Sequence, residues 1–285
     1  MIKLIVSDMD GTLITHQGRI SKGNLEAIHH GQKHGARLVI ATGRDFSSID
    51  KIMHDHGLSC MAILGNGAQF ANQNGEVLSS AYFPKKQFKE VIKIFDDLNI
   101  HYMIFTTAGF YTTHDPEAVK NAFIERCCQQ FHHTRDEYDD DMDMPCMQLQ
   151  RIEDVNGFLK SDIDIIKVEA FSLNIRLIEK AKEKLKAIDD IAFLSSFNDN
   201  VEVTDYHAQK GLILEKVIER LNIAKDEVMV LGDGYNDITM FEKFPYSFAP
   251  ENAEAGIKEL AYQVVASCEN DGVAEAIYMM IPKGK

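Results

Sequence analysis

The stretch LIVSDMDGTL, residues 4–13, runs apolar residues straight into two aspartates one residue apart, then a glycine and a threonine. A β-rich run of this length reads as a buried strand, and a buried strand that ends on two like charges needs something to neutralise them. In an extended segment Asp8 and Asp10 point the same way. At the carboxyl end of a parallel strand they would face the crevice where doubly wound sheets bind ligands. A divalent cation answers the repulsion, and a carboxylate cluster with room for water and phosphate oxygens suits Mg²⁺. Asp-x-Asp-Gly taken alone is more often a surface turn or a calcium-loop fragment, so the rest of the chain has to decide.

Outward from that stretch, KLIVSD and ARLVIATG read as strands with the helical NLEAIHHGQKHG between them, a βαβ unit. MAILGNGAQFA adds a third strand, and Asn74-Gly75 signals a hairpin. Far downstream EVMVLGDG, YNDITMFEKF, YSFA, AEAGIKELA, QVVA and DGVAEAIYMMI resume the alternation. Both ends of the chain are therefore expected to form one α/β core, a doubly wound, Rossmann-like parallel sheet spanning 1–83 and 191–285. Residues 84–190 break the rhythm with two strand-helix-strand groups and are expected to be an inserted α+β cap domain. Within it, the acidic RDEYDDDMDM at 135–144 is expected to be a solvated loop.

The 285 residues suit roughly two domains, and 45% hydrophobic with 26% charged residues describes a globular chain. A net charge of −14 repels phosphate backbones and anionic lipid, so neither nucleic acid nor membrane is an expected partner. MIKLIV is too short for a signal peptide and no apolar run approaches a membrane span, so a cytoplasmic protein is expected, and a monomer or homodimer. Five cysteines show no metal-binding spacing, and the pairs His29-His30 and His132-His133 place neighbours on different helix faces.

Three further segments reinforce the two aspartates. LGDGYND, 231–237, ends another apolar strand in Asp233, Asn236 and Asp237, which can supply metal ligands and their supports. IATGR, 40–44, ends a strand in Thr42 and Gly43 at a helix start, an anion seat. Lys210, ahead of the helical LILEKVIERL, adds a fixed cation.

In this order the four signatures, Asp8-x-Asp10-Gly-Thr, Thr42-Gly-Arg, Lys210-Gly and Gly232-Asp233-x-x-Asn236-Asp237, resemble the haloacid dehalogenase superfamily of phosphatases. LGNGA at 64–68, the insert after the third strand and NDGVAEAI at 270–277 further resemble its Cof-type branch with a large α/β cap. His207, Gln209 and the PENA turn at 250–253 depart from the usual pattern. The resemblance implies that Asp8 attacks phosphorus and that Asp10 protonates the leaving group, then activates water. It implies phosphate binding by Met9, Thr42, Gly43, Lys210 and Asn236, and Mg²⁺ held by Asp8, the Asp10 carbonyl and Asp233 with Asn236 and Asp237 close by. Arg44 and Asn66 are further candidates for substrate contact, although Arg44 also suits an acidic neighbour and Asn66 a strand-end turn. The implied substrate is a small phosphorylated metabolite, a sugar phosphate first, with FMN or pyridoxal phosphate as options. A phosphomutase and a non-catalytic phosphometabolite-binding regulator are the alternatives.

Overall fold

The computed structural model describes residues 1–131, 134–138, 144–195 and 197–283. It divides into two compact units, Met1–Ala81 with His207–Lys285, and Tyr82–Tyr206.

The first unit opens with β1 (Leu4–Ser7), α1 (Lys22–Lys33), β2 (Arg37–Ala41), α2 (Phe46–Asp55), β3 (Met61–Leu64), β4 (Gln69–Ala71) and β5 (Val77–Ser80). The second unit holds α3 (Phe88–Asp97), β6 (His101–Thr106), β7 (Gly109–Thr112), α4 (Pro116–Phe131), β8 (Gln150–Arg151), α5 (Val155–Lys160), β9 (Ile165–Phe171), α6 (Ile175–Leu185), β10 (Ile191–Leu194) and β11 (Asn200–Asp205). The chain then returns to the first unit as α7 (Lys210–Leu221), β12 (Val228–Leu231), α8 (Ile238–Lys243), β13 (Tyr246–Pro250), α9 (Ala255–Leu260), β14 (Gln263–Val265) and α10 (Gly272–Met280).

The core sheet runs β14-β13-β12-β1-β2-β3-β4-β5. Its parallel strands follow the doubly wound arrangement, with the order of strand addition reversing between β1 and β12. The apolar runs are nearly continuous because both faces are buried. Ile5, Leu38 and Met229 pack with α1, α2 and α10 through Ile28, Ile49 and Ile277. Leu4, Val6, Val39 and Val230 pack on the other face with Ile213, Met240 and Ile257 of α7, α8 and α9.

MAILGNGAQFA is two strands rather than one. Gly65–Gly67 forms a turn with Asn66 in the left-handed region at φ 60, and β4 comes back antiparallel to β3. The Asn74-Gly75 hairpin joins β4 to β5, with Gly75 at φ 80.

The second unit carries its own sheet, β10-β11-β9-β6-β7-β8, with Phe88, Phe95, Ile178 and Leu185 of α3 and α6 packed on one face. This corrects the expected boundary after Asp190. β10 and β11 pair antiparallel with each other, and β11 with β9, so residues 191–206 belong to the insert. Of the acidic stretch, Arg135–Glu137 is a short 3₁₀ turn, whereas 139–143 lie outside the described residues, as do His132 and His133.

The start of α7 is set tightly against α8. Gly211 N–H donates to Thr239 Oγ1 at 2.9 Å, and a Cβ on Gly211 would lie 2.2 Å from the Thr239 carbonyl oxygen. Gly211→Ala is therefore expected to cost roughly 1–3 kcal/mol by overpacking, read as a lower denaturant midpoint; an unchanged midpoint would contradict this packing.

Candidate active site

β1 and β12 are neighbours at the reversal of strand order, and both lead into acidic loops there. Asp8 N–H still donates to Leu231 O at 2.9 Å, but the chain then turns about the Met9 carbonyl, which accepts from the N–H groups of Leu13 and Ile14 at 3.0 Å each. This turn overrides the expected extended geometry. Asp8 goes into a buried cluster, whereas the Asp10 side chain is 55% exposed and binds Arg44, which donates through Nε at 2.9 Å and Nη2 at 2.6 Å. Arg44 thus takes the acidic neighbour. The Met9 side chain is core, which leaves only its backbone for a ligand.

Lys210 stands at the first position of α7 and is fully buried. Its Nζ donates to Asp8 Oδ1 and to Asp237 Oδ1, both at 2.6 Å. The second Asp237 oxygen accepts the N–H groups of Asp233 and Gly234 at 3.0 and 3.1 Å, so Asp237 fixes both the lysine and the loop. A Cβ at Gly232 would sit 2.5 Å from the Asp237 carboxyl carbon.

Asp233 receives a hydrogen bond from Thr12 Oγ1 at 3.1 Å. It lies so close to the first loop that a Cβ on Gly11 would fall 2.3 Å from its Oδ2, and Gly11 is held at φ 77. Thr12 and Gly11 are positioning residues that the motif quoted from the sequence contains but does not explain.

Thr42, Gly43, Asn66 and Asn236 form the neighbouring wall. Thr42 is buried after β2; its Oγ1 accepts from Arg44 N–H at 3.2 Å, and its carbonyl accepts from Asn66 N–H at 3.0 Å. A Cβ at Gly43 would approach Asn66 Oδ1 to 3.0 Å, and Asn236 Nδ2 donates to the same Asn66 oxygen at 3.2 Å. Buried Asn66 therefore joins the two loops, and the Asn236 amide is engaged there rather than in the carboxylate cluster.

Asp8, Asp233 and Asp237 each present a carboxylate oxygen within 4.8 Å of the others. Burial, followed by repulsion from Asp237, Asp233 and Asp10, lifts the Asp8 carboxyl well above the usual carboxylate range against the pull of Lys210. Burial and Asp237 lift Asp233 to about 6. Burial opposes the Lys210 charge, but Asp237 and Asp8 outweigh it and hold the ammonium above its ordinary range. One ammonium thus stands beside three carboxylates, and an all-oxygen donor set of this kind suits a hard divalent cation.

The sequence pattern of the family described as haloacid dehalogenase-like hydrolase matches residues 5–277. The chain is 26% identical over 282 residues to phosphatase YwpJ of Bacillus subtilis (strain 168), covering 96% of this chain and 98% of that protein. It is 26% identical over 286 residues to 5-amino-6-(5-phospho-D-ribitylamino)uracil phosphatase YwtE of the same organism, covering 98% of each. The solved structure of a haloacid dehalogenase-like hydrolase from B. subtilis superposes with a TM-score of 0.81 at 24% identity, covering 97% of this chain and 99% of that one.

The raised Asp233 carboxyl sets a pH dependence of stability. A carboxyl raised on folding favours the folded state at low pH, and that advantage is lost as pH rises from its unfolded value near 3.8 through about 6. Without divalent cation, Asp233→Asn should melt above wild type at neutral pH, by on the order of 2 kcal/mol, with the difference vanishing below about pH 4. Melting curves across that window check it, and a variant less stable at neutral pH would contradict the repulsion.

Proposed function

The chain belongs to the haloacid dehalogenase-like hydrolases, and from that premise we propose that it is a Mg²⁺-dependent phosphatase of small phosphorylated metabolites working through an aspartyl-phosphate on Asp8. The observation that carries this reading is the buried Lys210 ammonium held at 2.6 Å from both Asp8 and Asp237, beside a third carboxylate, Asp233.

Asp8 is the nucleophile. Lys210 fixes one of its oxygens and offsets its charge, so an anionic phosphoryl group meets less repulsion. Attack forms the Asp8–phosphorus bond and breaks the bond to the leaving oxygen, to which Asp10 gives a proton; Asp10 then takes a proton from the water that releases phosphate. With both oxygens bound to Arg44, Asp10 has to free one of them before it can carry that proton, so Arg44 orients the acid.

The Thr42 hydroxyl, which accepts from Arg44 N–H and keeps its own proton to donate, and the backbone at Met9 and Gly43 bind phosphoryl oxygens together with Lys210. Asn236 acts on the same group through the wall it shares with Asn66. Asp8, the Asp10 carbonyl and Asp233, with Asp237 and Asn236 nearby, would hold Mg²⁺, which when bound would supply charge neutralisation and polarisation of the phosphoryl group.

Because such a site treats every phosphate alike, the choice of leaving group is assigned to the insert, 82–206. Sugar and polyol phosphates head the candidates, a choice supported by the phosphorylated ribityl chain in the name of YwtE; FMN and pyridoxal phosphate follow.

Phosphate release from a panel of these compounds should require Mg²⁺, stop with chelator, and fall roughly 10³-fold or more in Asp8→Asn. Release that survives Asp8→Asn would overturn the nucleophile, and phosphoryl exchange between substrate positions without release would identify a mutase.

A further inference from the structure

Away from the carboxylate cluster, residues from the two ends of the chain bring three different donor types together. His16 Nδ1 or Nε2, Cys268 Sγ and a Glu269 carboxylate oxygen all lie within 4.8 Å of one another. We infer that His16, Cys268 and Glu269 form a second metal site, for a borderline divalent cation of the Zn²⁺ class, which clamps the loop after β1 to the turn after β14.

The donor set decides the class of ion. Imidazole, thiolate and carboxylate are the ligands of Zn²⁺ and Co²⁺, whereas Mg²⁺ takes oxygen and keeps its water. Three protein ligands leave a fourth tetrahedral position for water. Zn–N and Zn–S bonds of about 2.0 and 2.3 Å place ligand atoms about 3.5 Å apart, so binding would draw the exposed His16 and Glu269 side chains in from their present spacing, within 4.8 Å, toward the buried Cys268. The two exposed ligands also provide the entry path. Among the described residues, the other group able to hold a metal is the all-oxygen cluster Asp8, Asp233 and Asp237, so the two sites would sort ions by hardness.

The backbone already bridges this gap. His16 N–H donates to Glu269 Oε1 at 2.7 Å, and the His16 turn is closed by Thr15 N–H to Arg19 O at 2.9 Å and Gly18 N–H to Thr15 O at 2.8 Å. On the other side, Asn252 Oδ1 accepts Cys268 N–H at 2.9 Å while Asn252 Nδ2 donates to Gly11 O at 2.8 Å. The clamp is therefore one side chain away from Gly11, whose lack of a Cβ admits Asp233. On binding, the sulfur–metal bond forms as the Cys268 thiol releases its proton to solvent. A cation held there braces the loop that carries Asp10, and it does so whatever reaction the first site performs.

The test titrates the reduced protein with Co²⁺ in saturating Mg²⁺. The expected result is a near-ultraviolet sulfur-to-cobalt charge-transfer band that saturates at one equivalent and is displaced by Zn²⁺. The carboxylate site has no sulfur and cannot give this band. Cys268→Ser should abolish it, and His16→Ala should weaken Co²⁺ binding at least tenfold. Zn²⁺ should raise the melting midpoint of wild type and of neither variant. No band in wild type, a band surviving in Cys268→Ser, or unchanged Co²⁺ affinity in His16→Ala would each overturn the site. His16 is exposed, so its variant keeps the test decisive even where the serine variant fails to fold.

Discussion

A lysine ammonium with no access to water organises the core of this protein. Lys210 is fully buried, and a buried charge is tolerated only when it is paired and hydrogen-bonded. Asp8 and Asp237 meet that demand at 2.6 Å each, and they come from loops that follow different strands. The ion therefore ties the start of α7 to the ends of β1 and β12, at the point where the doubly wound sheet changes direction. Close packing enforces the tie: Gly211 admits no side chain against α8, and a Cβ on Gly67 would lie 2.6 Å from the Gln209 backbone.

The same constraint divides the labour between the two aspartates of the first loop. Asp8 is buried, held by a lysine and crowded by other carboxylates, a setting that suits the nucleophile and the cation proposed there. Asp10 is half in solvent and held by an arginine, a setting that suits the proton exchange proposed for it. The turn about the Met9 carbonyl produces this split by sending neighbouring acids to different environments. Asp237 is the quiet partner: its two oxygens are spent on Lys210 and on the N–H groups of the Asp233 loop, so it builds the site more than it lends it a free ligand.

Much of this was legible in the sequence where the signal is local. Apolar runs ending in Asp8, Thr42 and Asp233 marked the strand ends, and the order of the motifs placed Lys210 among them. Contacts between distant segments left no local mark. Thr12 reaches Asp233 across 221 residues, and nothing in a Gly-Thr pair announces it. Asp8 and Asp10 were expected to share a face because extended geometry was assumed through Met9; three hydrogen bonds to one carbonyl end the strand before it reaches Asp10. The far boundary of the insert was misplaced for a related reason. β10 and β11 carry ordinary short strand patterns, and only the antiparallel pairing of β10 with β11 and of β11 with β9 shows which sheet owns them. His16 and Cys268 sit near opposite ends of the chain, beyond the reach of any spacing rule.

The central claim is that Asp8 carries the phosphoryl group during turnover. The most direct measurement is acid quenching of the enzyme within its first turnovers on a cleaved substrate, followed by peptide mass mapping. The account predicts one added phosphoryl group on the peptide that contains Asp8, cleared as substrate is exhausted. Unmodified Asp8 under steady turnover, or the phosphoryl group on another residue, would contradict it.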